Sequence, residues 1–140
     1  MTAPLILDSS AILSCLLPDE ATQETEDLLN EIAVHGAHVP NLWALEVGNS
    51  LLVAERRQRI DTETRLALLG ALTDLPIHVD PHTSDYALNK TSALAAKYGL
   101  SVYDAAYLEL SLRLKGRLAS CDKALVNAAI ANQVALAFIF

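Results

Sequence analysis

Four carboxylates stand at positions from which their side chains could converge on one point: Asp8, Glu46, Asp104 and Asp122. Asp8 ends a short apolar run near the start of the chain, and Asp122 follows another apolar run near its end. Because the carboxyl ends of parallel strands meet at one edge of a sheet, acids at two strand ends should lie close together. Carboxylate oxygens without Cys or His suit Mg²⁺ or Mn²⁺ better than zinc. The pattern therefore predicts a divalent metal site.

Electrostatics explains why such acids would gather. Like charges packed together repel strongly, so the cluster is costly unless a cation neutralises it. A bound Mg²⁺ or Mn²⁺ ion orients a water, lowers its pKa and stabilises the charge on a phosphodiester undergoing displacement. Two ions about 4 Å apart would hold both the attacking and the leaving oxygen. The predicted site therefore favours phosphodiester hydrolysis without a side-chain nucleophile.

The two acids at strand ends also have a simpler interpretation as helix caps. Asp, Ser and Asn all serve at that position. Ser9 and Ser10 can already cap the helix after the first strand, which makes Asp8 redundant as a cap and favours a site. The capping interpretation is strong for Asp122, where the repetition of acids at strand ends is the argument for a site.

The other two acids lie in the first turns of predicted helices. The helix dipole alone would favour Glu46 there, although Asn49 and Ser50 extend a polar stripe from it along an otherwise apolar helix. Asp104 has apolar, small and aromatic neighbours, among which a lone acid is either buried and paired or bound to a ligand. With Ser101 three residues earlier, it could also complete an approximate capping box.

Composition limits the class of protein. The chain has 140 residues, 52% of them hydrophobic, which predicts one domain with a real core and excludes intrinsic disorder. Its 17 acidic and 10 basic residues give a formal charge of −7, which disfavours binding nucleic acid by charge alone. Two divalent cations at the four carboxylates would add four positive charges and bring that charge from −7 to −3.

The cysteines and the chain's apolar runs indicate a compartment. Cys15 and Cys121 form neither a disulfide framework nor a zinc signature, and we expect them to be buried free thiols. The first residues lack a basic segment and a long apolar stretch, and no apolar run reaches the length of a membrane span. These features predict a soluble, cytoplasmic protein.

Apolar periodicity, caps and Gly or Pro breaks divide the chain into alternating strands and helices. Strands are predicted at residues 4–7, 38–40, 77–80 and 117–120, and the tail 134–140 is either a last strand or a contact surface. Helices are predicted at residues 11–17, 22–36, 42–57, 62–75, 83–98, 101–115 and 122–130, the first, third and fifth capped by Ser9 or Ser10, Asn41 and Thr83. This predicts a three-layer α/β domain over residues 1–140, with a mostly parallel sheet of four to five strands flanked by helices.

Four short motifs also resemble a known family. They are Asp8-Ser9-Ser10-Ala11 after the first strand, Ala44-Leu45-Glu46-Val47-Gly48-Asn49, Tyr103-Asp104-Ala105-Ala106-Tyr107 and Ser120-Cys121-Asp122. In this order and spacing they resemble the PIN-domain ribonucleases, most closely the VapC-type toxins of bacterial toxin–antitoxin modules. The resemblance covers essentially the whole chain.

The resemblance implies a function and a set of residues that perform it. It implies that Asp8, Glu46, Asp104 and Asp122 are catalytic and hold Mg²⁺ or Mn²⁺. It implies that the Ser120 hydroxyl supports the site; Ser9 and Asn49 are further supporting candidates. It also implies a metal-dependent endoribonuclease with an RNA substrate, a cognate small antitoxin whose tail occupies the site, and a homodimer.

Basic residues for an RNA substrate are few. The candidate phosphate contacts are Arg56, Arg57 and Arg59 at one helix end, or Arg113, Lys115 and Arg117 at another. The alternative is that these cations simply end helices, where they suit the dipole.

Two other functions remain open from the sequence. A phosphatase could use Asp8 as nucleophile, although Ser10 stands where such enzymes usually have a second Asp. A non-catalytic module could keep this fold and bind a protein partner, although all four acids are retained. The apolar tail, with Leu136, Phe138, Ile139 and Phe140, could be an edge strand or part of a dimer face.

Overall fold

Five short parallel strands form the centre of the fold. In the computed structural model, which describes residues 2–138, they are β1 (Leu5–Leu7), β2 (Ala37–Val39), β3 (Ile77–Val79), β4 (Arg117–Ala119) and β5 (Ala135–Phe138). Their order across the sheet is β3-β2-β1-β4-β5, and each of these neighbouring pairs is parallel. The prediction of a mostly parallel sheet of four to five strands is confirmed.

Eight helices in the described part of the chain flank this sheet. They are α1 (Ser9–Leu16), α2 (Gln23–His35), α3 (Trp43–Arg56), α4 (Thr62–Thr73), α5 (Thr83–Ala87), α6 (Lys90–Tyr98), α7 (Val102–Leu114) and α8 (Lys123–Ala131). A single 3₁₀ turn, Pro18–Glu20, connects α1 to α2. Helix α1 packs against α2 and α3, and α7 packs against β1, β4 and α8.

Burial of the central strand explains the layered architecture. Leu5, Ile6 and Leu7 are all buried. Successive side chains of a strand point to opposite faces of the sheet, so burial of all three means that both faces are covered. This is the reason that β1 appears in the sequence as a continuous apolar run instead of an alternating one. Because β1 is the middle strand of the sheet, Asp8 at its end lies in the middle of the sheet edge.

Several predicted helix starts are confirmed by their caps. Thr22 accepts a hydrogen bond from the Thr25 amide and forms a capping box with it at the start of α2. Ser101 accepts from the Asp104 amide at the start of α7. Asp122 accepts from the Leu125 amide at the start of α8, so its capping role is real.

Three other predicted caps are wrong. Helix α1 begins at Ser9, two residues before the predicted start at residue 11, because the Asp8 carbonyl already accepts the first helical hydrogen bonds. Ser9 and Ser10 therefore lie inside the helix and do not cap it. Leu42 precedes α3, while the Asn41 amide donates to the Thr83 hydroxyl.

The helix predicted at residues 83–98 is two helices. His82, and not Thr83, occupies the N-cap position of α5, and the Thr83 hydroxyl donates to Asp80. After Leu88, the Asn89 side chain accepts from the Lys90 amide and starts α6. Asn bonds readily to neighbouring backbone groups, which competes with a continuous helix.

The apolar tail predicted at residues 134–140 contains a strand. Its residues Ala135–Phe138 form β5, which pairs with β4. The predictions for Ile139 and Phe140 lie outside the described residues. Among residues 2–138, every helix is too short or too polar to cross a bilayer.

Candidate active site

Asp8 is the buried centre of the predicted site. It follows β1 at the carboxyl edge of the sheet, and its side chain is only 3% exposed. Although Asp8 occupies the N-cap position of α1, its side chain makes no capping hydrogen bond. Instead, its Oδ2 atom accepts from the Ser120 hydroxyl at 2.6 Å and the Ser10 hydroxyl at 2.7 Å. This carboxylate is therefore held for something other than helix initiation.

The backbone of Cys121 and Asp122 is bonded to the same two hydroxyls. The Ser120 Oγ atom accepts from the Asp122 amide at 3.0 Å, and the Ser10 Oγ atom accepts from the Cys121 amide at 2.9 Å. The end of β1 and the end of β4 are thus joined by two serines that both touch Asp8. Asp122 uses Oδ1 to cap α8, which leaves Oδ2 for another partner.

Glu46 and Asp104 approach from two helices. Glu46 lies in the first turn of α3, and its Oε1 atom accepts from the Tyr107 hydroxyl at 2.5 Å. Tyr107 is fully buried on α7, so this bond joins the two helices. Asp104 lies one turn earlier on α7, half-buried, with its amide bonded to Ser101.

Burial and neighbouring carboxylates raise the pKa values of Asp8 and Asp104. Burial, and then the Asp122 charge, raise the pKa of Asp8 against the opposing hydrogen bonds of Ser10 and Ser120. Burial, followed by the charges of Asp122 and Asp8, raises the pKa of Asp104.

Glu46 has the same electrostatic surroundings. Burial raises its pKa, and the charges of Asp8 and Asp104 add to the effect, against the hydrogen bond from Tyr107. Within residues 2–138, no Lys, Arg or His forms an ion pair with any of the four acids. The four are therefore a mutually repelling group without an internal counter-ion.

The donor set suits a hard cation. It consists of carboxylate and hydroxyl oxygens, the ligands that Mg²⁺ and Mn²⁺ prefer. In the described part of the chain, no group of three or more Asp, Glu, His or Cys side chains is already close enough together to coordinate a metal ion. Glu46, Asp104 and Asp122 are only half-buried, which leaves their side chains able to adjust around an ion.

Comparison with known proteins shows the family. The PIN domain family model matches residues 5–131. The chain belongs to the PIN domain family. It is also similar to Ribonuclease VapC3 of Pyrobaculum aerophilum, with 31% identity over 123 residues that cover 88% of this chain and 92% of that protein. The resemblance predicted from the four motifs is confirmed.

Solved structures of similar fold extend this comparison. PAE2754 from Pyrobaculum aerophilum has a TM-score of 0.69 at 20% identity and covers 98% of this chain and 83% of its own. FitAcB from Neisseria gonorrhoeae has a TM-score of 0.65 at 14% identity, covering 97% and 96%. A toxin–antitoxin complex from Klebsiella pneumoniae has a TM-score of 0.60 at 16% identity, covering 99% and 100%. At these identities the likeness establishes the PIN fold alone.

The predicted supporting residues differ in their contacts within this PIN domain. Ser120 bonds Asp8 directly. The Ser9 hydroxyl lies 3.5 Å from Asp8 Oδ1, at the limit of a hydrogen bond. Asn49 is exposed on α3 and, in the described residues, its side chain forms no hydrogen bond.

Sequence reasoning missed two residues of this PIN domain site. Ser10 was predicted only as a cap, yet it donates to Asp8. Tyr107 was quoted within a motif and given no role, yet it donates to Glu46. Its position one helical turn after Asp104 was the available signal, because residues three apart share a helix face.

Three of the five arginines predicted as candidate RNA contacts form ion pairs within the PIN domain. Arg59 pairs with Asp19 and Glu20. Arg113 pairs with Asp80 and Glu109. Arg117 pairs with Glu31. These ion pairs involve the same guanidinium groups that would bind phosphate, and their contact with RNA stays a prediction.

The other two predicted arginines are exposed. In residues 2–138, neither Arg56 nor Arg57 has an ion-pair partner. Their contact with phosphate stays a prediction. Cys15 and Cys121 are free, as expected, but half-buried rather than buried.

Removal of the Tyr107 hydroxyl should loosen Glu46 without disturbing the core. We expect Tyr107→Phe to lower the free energy of unfolding by about 1–2 kcal/mol, since it deletes one hydrogen bond to a charged, half-buried acceptor and keeps the ring. Urea unfolding followed by circular dichroism measures this. Tyr103→Phe, on an exposed ring of the same helix, is the matched control and should change stability by less than about 0.5 kcal/mol. Equal effects of the two substitutions would contradict the role given to Tyr107.

Proposed function

We propose that this PIN domain is a metal-dependent endoribonuclease, in which Asp8, Glu46, Asp104 and Asp122 hold Mg²⁺ or Mn²⁺ and hydrolyse RNA phosphodiester bonds. The observation that carries the proposal is the repulsion among the carboxylates. Burial and mutual charge raise the pKa values of Asp8, Glu46 and Asp104, and no internal cation relieves them in the described chain. The repulsion among these carboxylates lowers the stability of the folded protein, and a bound cation would offset it.

Neighbouring side chains hold the proposed metal ligands in place. Divalent ions, when bound, supply an activated water and neutralise charge on the phosphodiester. Ser10 and Ser120 both donate to the Oδ2 atom of Asp8, which holds the orientation of this carboxylate. Tyr107 holds the Oε1 atom of Glu46. No side-chain nucleophile is required.

RNA as the substrate rests on the relative. Ribonuclease VapC3 matches this chain over nearly its full length. The phosphatase alternative is disfavoured by Asp8 itself, because a nucleophilic carboxylate must reach the phosphorus. Asp8 is buried and its Oδ2 atom already accepts two hydroxyl hydrogen bonds.

We further propose that the chain acts as the toxin of a toxin–antitoxin module, with a small antitoxin, and that it works as a cytoplasmic, single-domain homodimer over residues 1–140. Two similar folds come from structures titled FitAcB and a toxin–antitoxin complex. Exposed apolar side chains flank the acids here: Leu45, 82% exposed, precedes Glu46, and Tyr103, 66% exposed, precedes Asp104. An apolar rim around a charged site suits coverage by a protein partner.

The test is RNA cleavage by the purified, partner-free protein in Mg²⁺ or Mn²⁺, with EDTA as control. We expect cleavage with either metal and none with EDTA. The same metals should raise the melting temperature by several degrees, because an ion at about 100 times its Kd adds about 2.7 kcal/mol to the folded state. A folded protein that neither cuts a broad RNA panel nor gains stability from metal would favour the non-catalytic interaction module.

A further inference from the structure

A cavity of about 330 Å³ lies beside the four-carboxylate site. Helix α1, helix α3 and the 3₁₀ turn between α1 and α2 enclose it. Ser10 and Cys121 form its wall toward the site. Ser10 is the residue whose hydroxyl donates to Asp8, so the cavity begins one side chain away from the buried carboxylate.

Apolar side chains form one part of the lining. Leu13 and Leu17 come from α1 and its end, and Val53 and Ala54 come from α3. They can contact a flat, apolar surface from two elements. A nucleobase presents two such faces, and single-stranded RNA is recognised largely through contacts to unstacked bases.

Polar groups form the rest of the lining. Asn49 and Ser50 supply an amide and a hydroxyl from α3. Across the cavity, the Ser14 hydroxyl donates to Glu20 at 3.1 Å, which fixes that carboxylate. Donors and acceptors around an apolar floor suit the polar edge of a base better than an aliphatic side chain.

One cation of the lining has no internal partner. Arg59 is neutralised by Asp19 and Glu20, whereas Arg57 is exposed and forms no ion pair among residues 2–138. In a protein with a formal charge of −7, a free guanidinium on the lining of this cavity, at the end of α3 away from Glu46, is placed to bind the phosphate of a nucleotide on the side that faces away from the carboxylates.

We propose that this cavity is a nucleotide subsite: it takes the base of a nucleotide next to the bond that is cut, with the phosphate on Arg57. The inference rests on the proposed ribonuclease function and adds the determinant of sequence preference. A volume of about 330 Å³ matches one nucleotide, since it lies at the small end of ligand pockets. Asn49 and Ser50 are the groups placed to read the base edge.

The test separates binding from cleavage. The four nucleoside 5′-monophosphates are titrated into the full-length protein in EDTA, and binding is followed by amide chemical shifts. We expect at least one to bind saturably and to shift the amides of Ser14, Asn49, Ser50 and Arg57. Arg57→Glu should weaken this binding by about tenfold or more, the value of one charge-assisted hydrogen bond.

Two further variants make the result specific. Arg56→Glu makes the same charge change on the adjacent exposed residue, which does not line the cavity, and should change the affinity by less than about twofold. Val53→Trp fills the cavity floor and should abolish binding. A thermal melt of each variant checks folding. If Val53→Trp does not fold, the comparison of Arg57→Glu with Arg56→Glu, both at exposed residues, decides the question.

The outcomes distinguish this proposal from the proposed function. Metal-dependent RNA cleavage without binding of any monophosphate at these residues would overturn the subsite and leave the ribonuclease. Monophosphate binding at the cavity without cleavage of RNA would keep the subsite and overturn the ribonuclease. Equal losses in Arg57→Glu and Arg56→Glu would show a general charge effect and overturn the subsite. Binding of an apolar peptide at the cavity, with none of the nucleotides, would also overturn it.

Discussion

Asp104→Asn should lower the rate of metal-dependent RNA cleavage by about 10³-fold or more. The substitution keeps the size of the side chain and removes one negative ligand from a site whose proposed ions supply several kcal/mol of transition-state stabilisation. It should also raise the melting temperature of the metal-free protein. Burial and the charges of Asp122 and Asp8 raise the pKa of Asp104, so the ionised form at neutral pH opposes folding.

The sign of the pH dependence follows from that raised pKa. In the metal-free native protein, the stabilising effect of protonated Asp104 is fully present below its ordinary pKa of 3.8 and is lost as the pH rises through the raised value. The Asn variant lacks this loss, so its advantage over the native protein should grow from acidic to neutral pH in EDTA.

Melting temperatures across that pH range and cleavage rates in Mg²⁺ give the two readouts for Asp104→Asn. Asp74→Asn, an exposed acid at the end of α4, makes the same charge change away from the site and should alter neither by much. Unchanged cleavage in Asp104→Asn would remove Asp104 from the proposed mechanism. A loss of both cleavage and folded structure would be a stability defect and would contradict the expected gain.

Arg113→Ala should lower the free energy of unfolding by about 3–5 kcal/mol, which is the cost of removing one partner from a buried ion pair. The Arg113 guanidinium donates to Asp80 at 2.6 and 3.0 Å and to Glu109 at 2.8 and 2.9 Å. The side chains of Asp80 and Glu109 are 7% and 6% exposed. Without Arg113, two buried carboxylates would be left facing each other.

Urea unfolding of Arg113→Ala measures this effect, and Arg59→Ala is the matched control. Arg59 also binds two acids, Asp19 and Glu20, but all three side chains are exposed, so its removal should cost no more than about 1 kcal/mol. Similar costs for the two variants would show that burial of the Arg113 pairs contributes little.

The ion pairs of Arg113 should also make the stability of the protein depend on pH in the acidic range. Burial disfavours ionisation of Asp80, but the hydrogen bonds and charge of Arg113 outweigh it and hold the pKa of Asp80 below its usual value. The stability contributed by Asp80 is therefore present above the ordinary pKa of 3.8 and lost as the pH falls through the lowered one. Arg113→Ala should reduce this loss.

Local patterns predicted most of the elements because the relevant interactions are local. The continuous apolar run of β1 and the caps Thr22, Ser101 and Asp122 involve residues close in sequence, and the structure confirms them. The placement of Asp8 and Asp122 at one sheet edge also followed, because β1 and β4 are parallel neighbours.

Contacts between distant segments were not predictable in the same way. The bond between Tyr107 and Glu46 joins residues 61 positions apart and depends on how α3 meets α7. The pairing of Arg113 with Asp80 spans 33 positions, and it gives a residue predicted as a candidate RNA contact a structural role as well.

A shift of two residues in the start of α1 also changed the role of Ser10. Because α1 starts at Ser9, its phase directs the Ser10 hydroxyl, and only weakly that of Ser9, to Asp8. A pattern of caps cannot resolve such a shift, since helix ends are uncertain by one or two residues.

The carboxylates come from elements spread along nearly the whole chain, with Asp8 close to its start and Asp122 close to the end of its 140 residues. Strand β1 also lies between β2 and β4, so the Asp8 pocket is incomplete until Ser120 has been added beside it. A fragment of the chain that lacks β4 therefore contains Asp8 without the Ser120 hydroxyl that holds it, and the pocket is complete only in a piece of chain long enough to include both strands.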